Sequence, residues 1–175
     1  YNSDGSEAGM CLNGIRCAAS YIWKNKFMPI SNILVQTKYM DLKCIPKQKG
    51  KVSVLVNLPS LIDDKSLEQK INKKIKRKFF LSNIGNNHLC IELPSIKKVD
   101  LDSIYQELYK IIKDLDINLS IFTKSKEDIH IRTYENGTGE TLSCGSAALC
   151  VASKSLTKNK VNVISMGGKL SFKVK

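Results

Sequence analysis

The sequence has 175 residues, 42% of them hydrophobic, and a net charge of +12. A chain of this length hides roughly 70% of its unfolded surface on folding, and the composition excludes a disordered protein. Its positive charge is almost entirely lysine, whereas arginine is preferred for bidentate phosphate recognition, so we expect no nucleic-acid partner.

The first third of the chain predicts one helix and two strands. Residues 11–24 carry apolar side chains at helical spacing, with Ile15, Ala18, Ala19 and Ile22 on one face. Alternating apolar residues at 33–37 and 52–56 predict two strands. The Asn-Leu-Pro-Ser stretch at 57–60 then breaks the pattern and predicts a domain boundary, which gives a first lobe at 1–60 and a second at 61–175.

The second lobe is predicted to alternate between strands and helices. Its basic run at 70–78 predicts a solvated face or loop rather than a nucleic-acid patch. A helix is expected at 102–115, with Asp102 or Ser103 as its N-cap and with Ile104, Leu108, Ile111, Ile112 and Leu115 on one stripe. A second, small-residue helix is predicted at 144–155. Strands are predicted at 79–82, 88–93, 119–123, 129–134, 161–165 and 170–174.

Composition and cysteine spacing indicate where the protein is located and whether it has disulfides or a metal site. No apolar run approaches the ~20 residues that span a bilayer, and no signal-peptide pattern is present, so we expect a cytoplasmic protein without a membrane partner. The six cysteines would permit a disulfide framework, but a chain of this size does not need one, and reduced thiols are predicted. No C-x-x-C or paired-histidine spacing occurs, so no metal site is predicted.

Two segments of the sequence repeat one pattern. Residues 1–7 and 134–140 are each followed, after three residues, by a segment that opens with cysteine, at 11–20 and 144–153. Aligned without a gap, the copies share Tyr, Glu, Cys, Cys, Ala and Ser at six positions. Each copy combines an aromatic strand end, a glycine-containing turn and a helix of small residues. An internal duplication explains the match and predicts two lobes related by a pseudo-twofold axis.

The duplicated cysteines, Cys11 and Cys144, stand at two predicted helix starts. Unsatisfied N–H groups and the macrodipole at such a position favour a thiolate and can bind a carboxylate. Two such helices facing each other would hold the α-carboxylate of an amino acid and present a sulfur to each face of its α-carbon. One sulfur would remove the α-proton and the other would return a proton, with the helix ends stabilising the carbanion, so no cofactor is expected. The other cysteines, Cys17, Cys44, Cys90 and Cys150, are predicted to be structural.

These paired motifs resemble those of the diaminopimelate epimerase family. The family pattern N-x-D-G-S-E followed by C-G-N-G-x-R-C is matched by residues 1–17, and Y-E-R-G-x-G-E-T-x-x-C-G-S/T-G by residues 134–147. The G-N-P-H motif resembles residues 85–88, and G-G-x-L resembles residues 167–170. The resemblance implies an α+β fold of two pseudo-symmetric lobes, each a mixed, mostly antiparallel sheet around a central helix. Because the first motif opens the sequence, we expect a truncated first lobe and a longer parent protein.

The resemblance also assigns roles to individual residues. It implies that Cys11 and Cys144 are the catalytic pair and that Glu135 and His88 contact the substrate amine or tune the cysteines. The backbone N–H groups that would bind the α-carboxylate belong to Leu12, Asn13, Gly145 and Ser146. The far end of the substrate would be bound by Asn2, Asn86 and Asn118. Three positions depart from the family pattern: Leu12 replaces glycine and crowds the helix start, Asn87 replaces proline, and Asn136 replaces an arginine that pairs with the distal carboxylate.

The implied activity is a cofactor-independent inversion of L,L-2,6-diaminopimelate to the meso isomer, for the synthesis of lysine and peptidoglycan precursors. The expected partner is this small amino-acid substrate, and a homodimer is left open. The residues themselves leave two alternative functions open. One is a related two-cysteine racemase, such as a proline racemase-like enzyme, to which Asn136 gives weight. The other is a catalytically impaired relative that kept the fold, an idea motivated by the basic run at 70–78.

Overall fold

The computed structural model describes residue 5 and residues 9–37, 39–125, 128–155 and 160–174. The chain divides into two compact units, Tyr1–Asn57 and Leu58–Lys175. We describe them in turn as the first and the second unit.

The first unit combines one helix with a small antiparallel sheet. Helix α1 (Leu12–Lys24) is followed by strands β1 (Ile33–Gln36), β2 (Asp41–Pro46) and β3 (Val52–Leu55), which pair in the order β1-β2-β3. The sequence had predicted α1, β1 and β3, but not β2. Strand β2 buries Leu42 and Cys44 on one side, and this alternation is typical of a half-buried strand.

Helix α1 buries a stripe that differs in part from the predicted one. Its buried residues are Leu12, Ile15, Ala19 and Trp23, which recur at helical spacing. Ala18, which was predicted on this face, is exposed instead. Cys17 is also exposed, so its prediction as a buried structural cysteine is wrong. Leu12 was expected to crowd the helix start, but its side chain is buried in the stripe.

The second unit is built on one mixed sheet. Its order is β11-β10-β8-β7-β6-β5-β4, with β9 paired to β8. The β6–β7 and β8–β10 pairs are parallel and the other pairs are antiparallel. The strands are β4 (Ser60–Leu61), β5 (Phe79–Asn83), β6 (Asn87–Glu92), β7 (Ile117–Lys124), β8 (Asp128–Glu135), β9 (Gly139–Thr141), β10 (Lys160–Ser165) and β11 (Gly168–Lys173).

Two helices cover one face of this sheet. Helices α2 (Lys65–Ile75) and α3 (Leu101–Ile112) contact each other, and their apolar residues share one core with alternate residues of β6 and β7. That core contains the strand residues Leu89, Ile91, Leu119 and Ile121. Because side chains alternate along a strand, residues 88, 90, 118 and 120 point to the opposite face.

The opposite face packs against helix α4 (Gly145–Ser155), whose residues from Gly145 to Ala152 are all buried. A helix buried on every side is the central element of its unit, as the resemblance implied. The buried polar side chains of the unit gather on this face and on α4 itself. They are Ser82, His88, Asn118, Ser120, Thr133 and Ser146.

Besides the short strands β4 and β9, which the sequence did not predict, three details of the second unit differ from the sequence-based predictions. The basic run forms part of α2, whose lysines are exposed as a solvated face while Leu67 and Ile71 are buried; the helix itself was not predicted. The N-cap of α3 is Asp100, one turn before Ser103, whose backbone N–H it accepts at 3.1 Å. Leu115 is exposed rather than part of the buried stripe, because α3 gives way to a 3-10 turn after Ile112.

Candidate active site

Cys11 is the N-cap residue of α1. Its Sγ accepts a hydrogen bond of 3.3 Å from the backbone N–H of Gly14, and its side chain is exposed. Gly14 permits this contact, because a Cβ at that position would lie 3.1 Å from the sulfur. The sulfur therefore replaces the hydroxyl or carboxylate oxygen that usually caps a helix, and it lies where the helix favours negative charge.

The two predicted carboxylate-binding residues that follow Cys11 form the first turn of α1. The side chain of Leu12 turns inward, as described above, while its backbone N–H belongs to the unsatisfied end of the helix. Asn13 is half-buried, and its Oδ1 accepts a hydrogen bond from the guanidinium of Arg16. The pKa of Arg16 is lowered by burial, although the nearby Cys17 and Cys11 oppose that shift.

Cys144 immediately precedes α4 and is buried, with 8% of its surface exposed. Burial raises the pKa of its thiol to about 11, and the negative charge of Glu135 adds to the rise. A hydrogen bond with Ser146 Oγ and hydrogen bonds from the backbone N–H groups of Ala147 and Ser146 act in the opposite direction. Ala147 stands three residues after Cys144, as Gly14 does after Cys11, so both copies of the duplicated motif direct the same backbone N–H at sulfur.

His88 and Ser146 complete a row of buried polar groups with Cys144. Ser146 Oγ lies 3.3 Å from Cys144 Sγ and 3.1 Å from His88 Nε2. Burial lowers the pKa of His88 to about 4, so the imidazole is neutral at pH 7. Its Nδ1 is buried and has no hydrogen-bond partner among the described residues. The second unit thus brings three predicted site residues into direct contact.

Glu135 ends strand β8, and Thr141 from β9 fixes its carboxylate. The hydroxyl of Thr141 donates a short hydrogen bond of 2.5 Å to Glu135 Oε1. The same carboxylate acts electrostatically on Cys144. Glu135 therefore lies within electrostatic range of that cysteine, and its role in catalysis stays a prediction.

The predicted distal residues form a second group at the edge where β6 and β7 begin. Asn118 Oδ1 accepts the backbone N–H of Asn136 at 3.0 Å, and its amide donates to the carbonyl of Asn87 at 3.4 Å. Asn86 lies half-buried in the turn before β6. Asn2 lies outside the described residues.

The side chain of Asn136 is bound by protein groups at both ends. Tyr105 donates its hydroxyl to Asn136 Oδ1 at 2.7 Å, and Asn136 Nδ2 donates to Asp116 Oδ1 at 3.1 Å. Where the family arginine would supply a positive charge, this group of contacts therefore contains an amide, a phenol and a carboxylate. It includes no cation.

Three of these contacting residues were not predicted as part of the site. Thr141 belongs to the motif that ends in Cys144, so its position in that motif was the signal available from sequence. Tyr105 and Asp116 lie on α3 and in the turn before β7, and no sequence pattern connected them to Asn136. Within the described ranges, no group of three or more ligating side chains could hold a metal ion. No helix in the same ranges is long and apolar enough to cross a membrane.

Comparison with solved structures defines the fold. A Bacillus anthracis phenazine biosynthesis protein of the PhzF family superimposes with a TM-score of 0.67 over 98% of this chain and 69% of its own, at 13% identity. A PhzC/PhzF protein from Clostridium difficile gives 0.64 over 95% and 66%, at 17% identity. Similarity at these identities shows the fold alone, which is the α+β fold of the diaminopimelate epimerase-like class, as predicted.

Sequence comparison identifies the family within that class. Residues 80–175 match the family described as diaminopimelate epimerase. The diaminopimelate epimerase of Methanocella arvoryzae is 32% identical over 98% of this chain and 67% of its own length. That of Methanocaldococcus jannaschii is 30% identical over 100% and 70%. The chain belongs to the diaminopimelate epimerase family, and it spans about two thirds of the length of these relatives.

Proposed function

We propose that the protein is a cofactor-independent epimerase that inverts L,L-2,6-diaminopimelate to the meso isomer with Cys11 and Cys144 as its two bases. The observation that carries this proposal is the position that the two sulfurs share at the helix starts. Each lies at the start of a helix and receives the backbone N–H three residues further on. Family membership agrees with the proposal, because the named relatives are diaminopimelate epimerases.

The chemistry follows from these two helix starts. One cysteine as thiolate takes the α-proton, and the other as thiol gives a proton to the opposite face of the planar intermediate. In the reverse direction the two sulfurs exchange roles. The backbone N–H groups of Leu12, Asn13, Gly145 and Ser146 are the donors that we assign to the α-carboxylate, where they stabilise the negative charge that develops during proton removal.

Each lobe contributes one cysteine in this proposal. We assign residues 1–60 and 61–175 to the two lobes of a duplicated fold, with Cys11 in the first and Cys144 in the second. In the second lobe, His88 and Glu135 are assigned to the environment of Cys144, which they contact through Ser146 and by charge respectively.

A second candidate is an epimerase of the same mechanism for a different amino acid. Asn136 favours this candidate, because both ends of its amide are bound by Tyr105 and Asp116 and it supplies no charge. A distal carboxylate would therefore lack the guanidinium partner that the family pattern provides. We assign Asn86 and Asn118 to the distal end of the substrate in either case.

Solvent exchange at the α-carbon tests both candidates. The full-length protein is incubated in deuterium oxide with L,L-diaminopimelate, L-lysine, L-2-aminopimelate or L-proline, and deuterium in each amino acid is measured by mass spectrometry. Exchange that is fastest with L,L-diaminopimelate supports the first candidate, and exchange that is faster with another amino acid supports the second. If no amino acid acquires deuterium while the protein remains folded, the chain is an inactive relative and the proposal is wrong.

A further inference from the structure

The buried row of His88, Ser146 and Cys144 contains a hydroxyl between two titratable groups. Ser146 Oγ is within hydrogen-bonding distance of both, at 3.1 Å from His88 Nε2 and 3.3 Å from Cys144 Sγ. A serine hydroxyl has one proton, so it donates to one neighbour and accepts from the other. The direction of these two hydrogen bonds therefore decides whether the sulfur of Cys144 is a donor or an acceptor.

The imidazole of His88 determines that direction. A neutral imidazole carries its proton on one nitrogen, and Nδ1 has no acceptor among the described residues. A proton on Nδ1 would leave a buried N–H unsatisfied, which is rare in folded proteins. The proton is therefore on Nε2, which donates to Ser146 Oγ. The hydroxyl of Ser146 is then left to donate to Cys144 Sγ.

From this geometry we propose that Ser146 is a positioning residue that transmits the hydrogen bond of His88 to the sulfur of Cys144 and stabilises its thiolate. The hydroxyl acts in addition to the backbone N–H that we assigned to the substrate. The role of the Cys144 thiolate as a base rests on the proposed function, whereas the direction of the hydrogen bonds does not.

Of the other side chains near Cys144, Glu135 acts against its thiolate. Glu135 from β8 raises the pKa of Cys144 by its charge, and burial raises it further. Cys90 from β6 and Cys150 within α4 are also near, and both are thiols whose own pKa values are raised by burial. His88 is neutral at pH 7, so its contribution reaches the sulfur as a hydrogen bond rather than as a charge. Among the described side chains near this sulfur, Ser146 is the one that lowers its pKa.

The alkylation rate of Cys144 tests the proposal without requiring catalysis. In the full-length protein carrying Cys11→Ala, the rate of iodoacetamide labelling of the peptide that contains Cys144 is followed by mass spectrometry from pH 7 to 11. We expect Ser146→Ala to slow labelling at pH 8 about tenfold, because a rise of one pKa unit leaves roughly a tenth of the thiolate. Ser146→Thr, which retains the hydroxyl, restores the rate. Ser153→Ala on the same helix leaves it unchanged, since that hydroxyl donates to the carbonyl of Cys150.

A double-variant comparison separates transmission through Ser146 from a general loss of packing. His88→Leu removes the donor and slows labelling by a similar factor when Ser146 is present. In the Ser146→Ala background the same change has no further effect, since the connection is already broken. Additive effects of the two substitutions, or an unchanged rate in folded Ser146→Ala or His88→Leu, overturn the proposal. Labelling needs no turnover, so a protein that fails the exchange assay can still pass or fail this test.

Discussion

His88 and Ser146, which are 58 residues apart in the sequence, are joined by a hydrogen bond of 3.1 Å between Nε2 and Oγ. One residue lies near the start of β6 and the other in the first turn of α4, so the bond connects the sheet to the central helix. Both side chains are buried, so the bond lies in the interior of the unit. It places the imidazole at a defined distance from the sulfur of Cys144.

Replacing either duplicated cysteine is predicted to abolish epimerisation. Cys11→Ala and Cys144→Ala each remove one of two proton-transfer groups, and such groups contribute about 10²–10⁴-fold to a rate. We expect kcat to fall by at least ~100-fold with L,L-diaminopimelate, measured by coupled assay or by circular dichroism of the products. Cys17→Ala is the matched control, because Cys17 is an exposed cysteine of the same helix as Cys11, and it should retain full activity. Normal turnover by either alanine variant would rule out the two-base mechanism.

Oxidation is predicted to inactivate the enzyme by joining Cys11 to Cys144. A two-base mechanism requires both sulfurs close to one carbon atom, and a disulfide needs Cα atoms about 4.4–6.8 Å apart. After mild oxidation, peptide mapping under non-reducing conditions should show the two cysteine peptides linked, and a reductant should restore activity. An inactive oxidised sample in which both thiols still react with iodoacetamide would contradict this prediction.

Asn136→Arg is predicted to increase activity with L,L-diaminopimelate. The substitution adds the charge that the family pattern has at this position, and hydrogen bonds to charged groups contribute about 1.5–3 kcal/mol. Since 1.4 kcal/mol is a factor of ten, we expect kcat/KM to rise roughly 10- to 100-fold. Asn136→Gln, which adds length without charge, should give no increase. A fall in kcat/KM for the arginine variant would show that Tyr105 and Asp116 hold this position for another purpose.

The buried imidazole of His88 is predicted to make the folded protein less stable in acid. Its pKa falls from 6.5 to about 4 on burial, so the unfolded chain binds a proton between these values while the folded chain does not. The free energy of unfolding therefore decreases as the pH falls from about 6.5 toward 4, by roughly 3 kcal/mol at about 1.4 kcal/mol per pKa unit. Urea denaturation at pH 7.5 and 4.5 measures the change. His88→Gln should show a smaller decrease, and equal decreases in both proteins would exclude His88 as the cause.

Local patterns were sufficient for most of the elements. The apolar stripe of α3, the alternation in β8 and the small residues of α4 each follow from the spacing of side chains along one segment. Strands β2, β4 and β9 and helix α2 were not predicted, and for β2 and α2 the local signal is weak. In strand β2 a lysine separates Leu42 from Cys44, and a proline ends the strand. In α2 the charged residues outnumber the buried ones, Leu67 and Ile71.

Some residues of the candidate site could likewise be predicted from a local motif, and others could not. The motif that contains Cys144 identified the thiol, the helix start and the adjacent Ser146, because all of them lie within a few residues. The partners of Asn136 could not be predicted, since Tyr105 and Asp116 are 31 and 20 residues away and reach it only after α3 packs on the sheet. The N-cap of α3 was misplaced by two or three residues, because several acidic and hydroxyl residues near its start can all cap a helix.

The sequence by itself determined the cysteine pair, because a duplicated motif places a thiol at the start of each of two helices, and helix ends have the same electrostatics wherever they occur. The tertiary structure alone decided how the surrounding groups contact Cys144. The pKa of that thiol depends on burial, on the charge of Glu135 and on hydrogen bonds through Ser146, and these come from separate strands and a helix. Such interactions depend on distances of a few ångströms between elements that no local pattern specifies.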